Sequence, residues 1–149
     1  ASRIGPMDLR IFRSSSAASI RKMTSGASGF DLAAAIDLPL ILQPFVPVVI
    51  PTGIHVAIPQ GFEGHVRPRS SLNKAGIHVG FGTIDSDYRG EVGITAINLT
   101  LTPYEVRPGD RLAQLVFASC VSVNCTEVQS IQELGETTRG TGSFGSTGR

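Results

Sequence analysis

The sequence predicts an all-β domain, a sandwich or a barrel, with one short helix. Three observations carry this. Short β-branched and apolar runs alternate with a period of two. Seventeen Gly and nine Pro are spread through the body and punctuate those runs at turn spacing. Sustained helical periodicity is scarce. At 149 residues, 41% apolar and 17% charged, the chain reads as one globular domain, residues 1–149, large enough to bury a core.

Taken in chain order, residues to about 22 read as a polar, Ser-containing lead-in before the first clear strand. Val46 to Ile50 is β-branched and apolar, as a strand requires. In residues 53–58, Ile54, Val56 and Ile58 face one way, His55 and Ala57 the other. Ser70 to Ala75 is the one predicted helix, and Gly76 stops it. Further on, Val92, Ile94 and Ala96 alternate with Gly93, Thr95 and Ile97. Leu112, Gln114 and Val116 share one strand face, and Ala113, Leu115 and Phe117 the other. Cys120 and Cys125 lie in a strand-like stretch and read as two reduced core thiols. Their spacing, with no histidine motif nearby, does not make a zinc site. From Glu133 onward Gly, Thr and Ser take over, so residues 135–149 read as a flexible arm.

Charge and hydropathy exclude some classes. A net charge of +1 does not suit a nucleic-acid binder that works by bulk electrostatics. An anionic ligand would rest on a few Arg side chains and backbone amides. The best apolar run, Leu38 to Ile50, is interrupted by Pro39, Pro44 and Pro47, so no membrane span is expected. No basic region followed by an apolar run opens the chain. With no targeting signal visible, the expected setting is cytoplasmic, or nuclear in a eukaryote.

Five segments carry residues suited to chemistry. Asp31 sits between Phe30 and Leu32; it reads either as a strand-edge acid facing solvent or as a carboxylate orienting waters on a divalent ion. Arg69, Ser70 and Ser71 open the predicted helix, where free N–H groups suit phosphate; Ser70 reads equally well as a cap. Gly82 to Val92 puts Asp85 and Tyr88 in one tight turn. A partly buried Asp85 would serve as a base toward water, while Tyr88 offers a ring face, or packs across a hairpin. Gln114 is an amide amid Leu112, Leu115 and Val116 and needs a partner, a backbone group or a ligand. The last segment, Arg139 to Gly148, is Gly-rich without a Walker lysine. Its Arg139 and Phe144 suit an arm that closes over a ligand, the ring on a base and amides on phosphates.

In this order, residues 27–34, 68–72, 82–92, 109–116 and 139–148 resemble the five motifs of the deoxyuridine triphosphatase (dUTPase) family. The resemblance implies a β-clip, a jelly-roll-like distorted barrel, in a homotrimer whose active sites are shared between subunits, with the C-terminal arm reaching a neighbour. It implies magnesium-assisted hydrolysis of dUTP to dUMP and pyrophosphate, which lowers dUTP and supplies dUMP for thymidylate synthesis. By match to the motifs, Asp85 would orient and deprotonate the attacking water. Tyr88 would pack under the deoxyribose, where a 2′-hydroxyl would clash. The backbone from Gly80 to Ile84, with Gly82 and Thr83, would read uracil. Arg69, Ser70, Ser71 and Gln114 would hold phosphates or the water, and Asp31 a water of the Mg2+ shell. Phe144 would stack on uracil, and Arg139, Gly145, Ser146 and Thr147 would hold the terminal phosphate end.

Two competing readings remain. A dCTP deaminase of related fold resembles the chain around Arg69 to Ser71, yet needs a Glu in the strand after the Asp85 turn, and residues 92–98 contain none. A non-catalytic trimeric binding module would have no use for Asp85, Tyr88, Arg139 and Phe144 together.

Overall fold

The computed structural model describes residues 5–148; residues 1–4 of the lead-in and Arg149 of the arm lie outside the described residues. The described chain is built from short strands: β1 (Arg10–Arg13), β2 (Ile20–Arg21), β3 (Gly29–Ala33), β4 (Leu40–Leu42), β5 (Val48–Pro51), β6 (Ile54–Ala57) and β7 (Phe62–Pro68). Helix α1 (Ser70–Lys74) follows, then β8 (Ile77–Val79), β9 (Gly82–Ile84), β10 (Gly93–Asn98), β11 (Tyr104–Val106) and β12 (Arg111–Ser119). A 3-10 turn at Ile131–Leu134 precedes the arm.

The largest sheet has the order β2-β3-β12-β7-β9, antiparallel throughout. A second sheet runs β5-β10-β8, and two-stranded pairs join β1 to β6 and β4 to β11. The arrangement is all-β and jelly-roll-like. The described strands do not close into one barrel; they divide among separate sheets around a common core. Leu32, Leu42, Ile50, Ile54, Ile94 and Leu115, drawn from all four sheets, are fully buried in that core.

Register explains which side chains are left for function. Leu115 pairs with Phe30 and Val66, and Leu115, Val66 and Ile84 are buried in the core. One step along, Gln114 pairs with Asp31 and Arg67, so the pleat turns these three to the opposite face. A bulge between Arg111 and Ala113 sets two residues of β12 against one of β3. Leu112 and Ala113 are therefore both buried, and Leu112 does not share the Gln114 face as simple alternation predicted.

Three further expectations need correction. The lead-in is not structureless: β1 pairs with β6 and β2 with β3. All four residues of β1 are exposed, so it carries no in–out pattern to read. The strand expected at Val46 to Ile50 begins at Val48, because Pro47 cannot donate to a ladder. Cys120 and Cys125 are exposed, not core thiols. The Cys120 N–H still donates to Gly61 O at 2.8 Å, but the chain then leaves the sheet with Val121 and Val123 open to solvent. Helix α1 matches its expected span, and Gly76 (φ 79°) ends it. Its N-cap is Arg69 rather than Ser70, and no side chain caps it. No helix among the described residues is long and apolar enough to cross a membrane.

Candidate active site

Asp85 and Tyr88 are carried out of one sheet and toward another. Strand β9 pairs with β7, Gly82 opposite Val66 and Ile84 opposite Gly64. The chain turns over Asp85 to Tyr88, where the Tyr88 N–H donates to Asp85 O at 3.1 Å, and enters β10, which pairs with β5 and β8. The segment is thus a crossover between sheets and not the tip of a hairpin. Buried Ile84 fixes its start and buried Val92 its end. Arg89 Nη1 holds the turn from within, donating to Ser86 O (2.7 Å) and Tyr88 O (3.0 Å). The Tyr88 hydroxyl donates to Glu91 O at 2.9 Å. Its ring lies over Gly90, where any Cβ would overlap it.

These elements enclose a cavity of about 200 Å³ lined by Val66, Gly82, Thr83, Ile84, Asp85, Tyr88, Glu91, Val92 and Gly93. The lining combines the β9 backbone and apolar side chains with two carboxylates, Asp85 and Glu91, and the Tyr88 phenol. Asp85 is exposed in the single chain, and the apolar side chains that share its cavity are the buried Val66, Ile84 and Val92.

A second cluster forms where β3, the end of β7 and the start of β12 meet. Asp31 Oδ2 accepts from Arg111 Nη1 at 3.2 Å and faces Arg69 Nε at 3.9 Å. Arg69 Nη1 donates in turn to Arg111 O at 2.9 Å. Asp31 is therefore no plain solvent-facing edge acid: its side chain is only 14% exposed and balances two guanidinium groups. Gln114 Nε2 reaches Pro68 O only at 3.5 Å, a weak tie that leaves the amide available. Ser71 lines a cavity of about 320 Å³ with Arg69 and Arg111, while Ser70 stands exposed beside it. Sequence reading missed Arg111. It lies in the same run as Gln114, but only the register opposite Ala33 brings it to Asp31.

Among the described residues no three His, Cys, Asp or Glu side chains group to hold a metal ion. Asp31 has both guanidinium contacts on Oδ2, and Oδ1 has no hydrogen-bond partner among the described residues. One free carboxylate oxygen fits a water of a magnesium shell, since magnesium retains waters and favours phosphate oxygens.

The two clusters do not meet within one chain. Because β9 runs antiparallel to β7, the chain leaving Ile84 heads toward Phe62 and Glu63, which border a cavity with Asp85. Arg69 lies five positions past Gly64 in the other direction, roughly 16 Å at ~3.3 Å per residue. The arm is a third, separate group. Among the described residues, its hydrogen bonds stay within residues 132–148, including Arg139 Nε to Gly142 O at 2.8 Å. Phe144 is fully exposed, and Gly145, Ser146 and Thr147 are exposed as well.

Comparison with known proteins bears on the family and the fold. The family model described as dUTPase matches residues 15–148. The deoxyuridine 5′-triphosphate nucleotidohydrolase of Wolbachia pipientis subsp. Culex pipiens is 49% identical over 129 residues, covering 85% of this chain and 84% of that protein. The protein of the same name from Neorickettsia sennetsu is 44% identical over 131 residues, covering 86% of each. Among solved structures, a Staphylococcus bacteriophage 80alpha dUTPase with dUPNHPP superposes with a TM-score of 0.86 at 24% identity, over 95% of this chain and 99% of that one. A variant dUTPase of S. aureus phage phi11, described for its coordination of a structural Mg(II) ion, gives 0.76 at 23%, over 85% and 99%. These structures share the fold. The family match takes in both clusters and most of the arm, and with relatives at nearly half identity over 85% of the sequence, the chain belongs to the dUTPase family.

Proposed function

We propose that the protein hydrolyses dUTP to dUMP and pyrophosphate, lowering dUTP and supplying dUMP for thymidylate synthesis. The observation that carries this is the cavity in which Asp85 and Tyr88 face the backbone of β9. Asp85 takes a proton from a water that attacks the α-phosphorus; the bond to the bridging oxygen of the β-phosphate breaks and pyrophosphate leaves. A carboxylate is a weak base toward water, so much of the effect of Asp85 is to place that water in line. Tyr88 supports the deoxyribose and leaves no room for a 2′-hydroxyl. Backbone groups of Gly82, Thr83 and Ile84 read uracil, and the close wall rejects a thymine methyl.

The cationic cluster serves the triphosphate. Arg69, Ser70, Ser71 and Gln114 hold phosphate oxygens, with Arg111 beside them, and Asp31 Oδ1 would accept from a water of the magnesium shell. Magnesium, when bound with the nucleotide, offsets triphosphate charge that would otherwise oppose attack. From the arm, Phe144 covers uracil while Arg139, Gly145, Ser146 and Thr147 close on the terminal phosphates. A homotrimer supplies the missing proximity, one subunit giving Asp85 and Tyr88, another the Arg69 cluster, with an arm laid over both. The roughly 16 Å separation within a chain supports that sharing. So do Val49, Phe81, Leu99 and Leu101, all more than half exposed and apolar enough to seek cover.

The test is pyrophosphate release from dUTP, dTTP, dCTP and UTP with magnesium, beside Asp85→Asn. Release from dUTP alone is expected. Asp85→Asn keeps dUTP binding and slows turnover by at least about 10²-fold, the scale of general base catalysis. Unchanged turnover removes Asp85 from the mechanism, ammonia from dCTP favours the deaminase, and no release from any nucleotide favours the binding module.

A further inference from the structure

Glu91 lines the nucleoside-sized cavity with Asp85 and Tyr88, yet no role in the reaction above uses it. Its Oε1 accepts the Gly53 N–H at 2.6 Å. Gly53 is buried in the turn between β5 and β6, with φ of 65° and no space for a Cβ beside Ala18 and Ser15. The carboxylate is thus seated on backbone that has little freedom to move. The same residue's carbonyl accepts the Tyr88 hydroxyl. Neighbouring bonds extend the seam: Thr52 Oγ1 donates to Val92 O at 2.5 Å, Val92 N–H donates to Ile54 O at 2.8 Å, and His55 Nδ1 lies 2.8 Å from Arg89 O. Of these ties, Glu91 alone meets the turn at the residue that anchors the Tyr88 ring.

We propose that Glu91 is a positioning residue for sugar selection: by gripping the Gly53 N–H it fixes the carbonyl that holds Tyr88, and so fixes the wall that excludes a ribonucleotide. The inference rests on the dUTP reading above. Glu91 itself touches neither the phosphates nor the attacking water. Its removal therefore alters nucleotide fit before it alters the chemical step. The Tyr88 hydroxyl and the Glu91 carboxylate act in series, so losing either one has the same consequence, and losing both adds little.

The experiment compares the full chain with Glu91→Ala, Glu91→Gln and Tyr88→Phe, measuring kcat and KM for dUTP and UTP with magnesium well below each Tm. Glu91→Ala is expected to lower the dUTP-to-UTP ratio of kcat/KM by about tenfold, the order of one hydrogen bond to a charged acceptor. KM for dUTP rises more than kcat falls. Glu91→Gln, whose amide oxygen still accepts from Gly53, restores most of the ratio; Tyr88→Phe reproduces the loss. Glu91→Asp, one methylene short of Gly53, replaces Glu91→Ala if that variant does not fold. An unchanged ratio in Glu91→Ala, or equal defects in Glu91→Ala and Glu91→Gln, overturns the proposal. A readout independent of turnover separates its failure from that of the dUTP reading. Tyr88 and Tyr104 are the only tyrosines, so ring-labelled NMR of the free protein resolves Tyr88. Glu91→Ala should shift and average that signal, and Glu91→Gln should not. A parent chain inactive on dUTP sinks the dUTP reading, while an unmoved Tyr88 signal sinks this one.

Discussion

Asn98 at the end of β10 uses all of its hydrogen-bonding capacity. Nδ2 donates to Leu42 O (3.0 Å) and Thr102 O (2.7 Å), and Oδ1 accepts from Thr100 N (2.9 Å) and Thr100 Oγ1 (2.7 Å). The side chain is fully buried and ties β4, β10 and the following turn together. Asn98→Leu keeps the branched shape but strands a buried carbonyl and an amide. At about 1–3 kcal/mol for each of these two unsatisfied groups, the loss should come to roughly 2–6 kcal/mol. For a domain of this size that lowers Tm by about 10 °C in a thermal melt; a melt within a degree or two of the parent would show that the turn rehydrates at no cost. Neither Asn98 nor Glu91 was legible in the sequence. Each matters through a partner more than 35 positions away, Leu42 and Gly53, and one sequence carries no sign of such a pairing. The turn that carries Asp85 and Tyr88 was legible because its own hydrogen bonds, Tyr88 N–H to Asp85 O and the Tyr88 hydroxyl to Glu91 O, are local.

At the scale of the element, what could be read followed from periodicity and punctuation. Helix α1 was read to within a residue, because a stop at Gly76 is a local backbone property. Strand β12 was read as a strand, but its bulge was not, since an extra residue shows only against the partner strand. Strand β1 was missed because exposure on both faces leaves no alternation. The bulge carries an energetic expectation. Leu112 is 2% exposed within the core, so Leu112→Ala should cost about 2–5 kcal/mol in chemical denaturation, whereas a residue on the Gln114 face would cost far less. The arm invites the opposite expectation. Residues 139–148 form no hydrogen bond to the body among the described residues, so deleting 139–149 should leave Tm within about 2 °C of the parent, the effect of a surface change. Pyrophosphate release from dUTP should nonetheless collapse. A deleted protein that sizes as a monomer would make the arm a structural strap rather than a lid.

Across the whole molecule, the decisive fact is that β7 separates the acid from the cations. Asp85 leaves β9 near the start of β7, and Arg69 follows its end, so no rotamer change within one chain brings them together. Sequence order hides this, since Arg69 and Asp85 stand only sixteen positions apart in the chain; the antiparallel register is what turns them away from each other. A site built by neighbouring subunits makes a prediction that a self-contained site does not. Asp85→Asn and Arg69→Ala should each be nearly inactive alone. Unfolded together, mixed in equal amounts and refolded, they should regain activity, because some interfaces join an intact Asp85 to an intact Arg69. In a randomly assembled cyclic trimer about one site in four is of that kind. If each chain formed its own site, every site would carry one lesion and the mixture would stay as inactive as its parents. Simple mixing without unfolding should recover activity only as fast as subunits of such a trimer exchange, so the time course would report how tightly they are held.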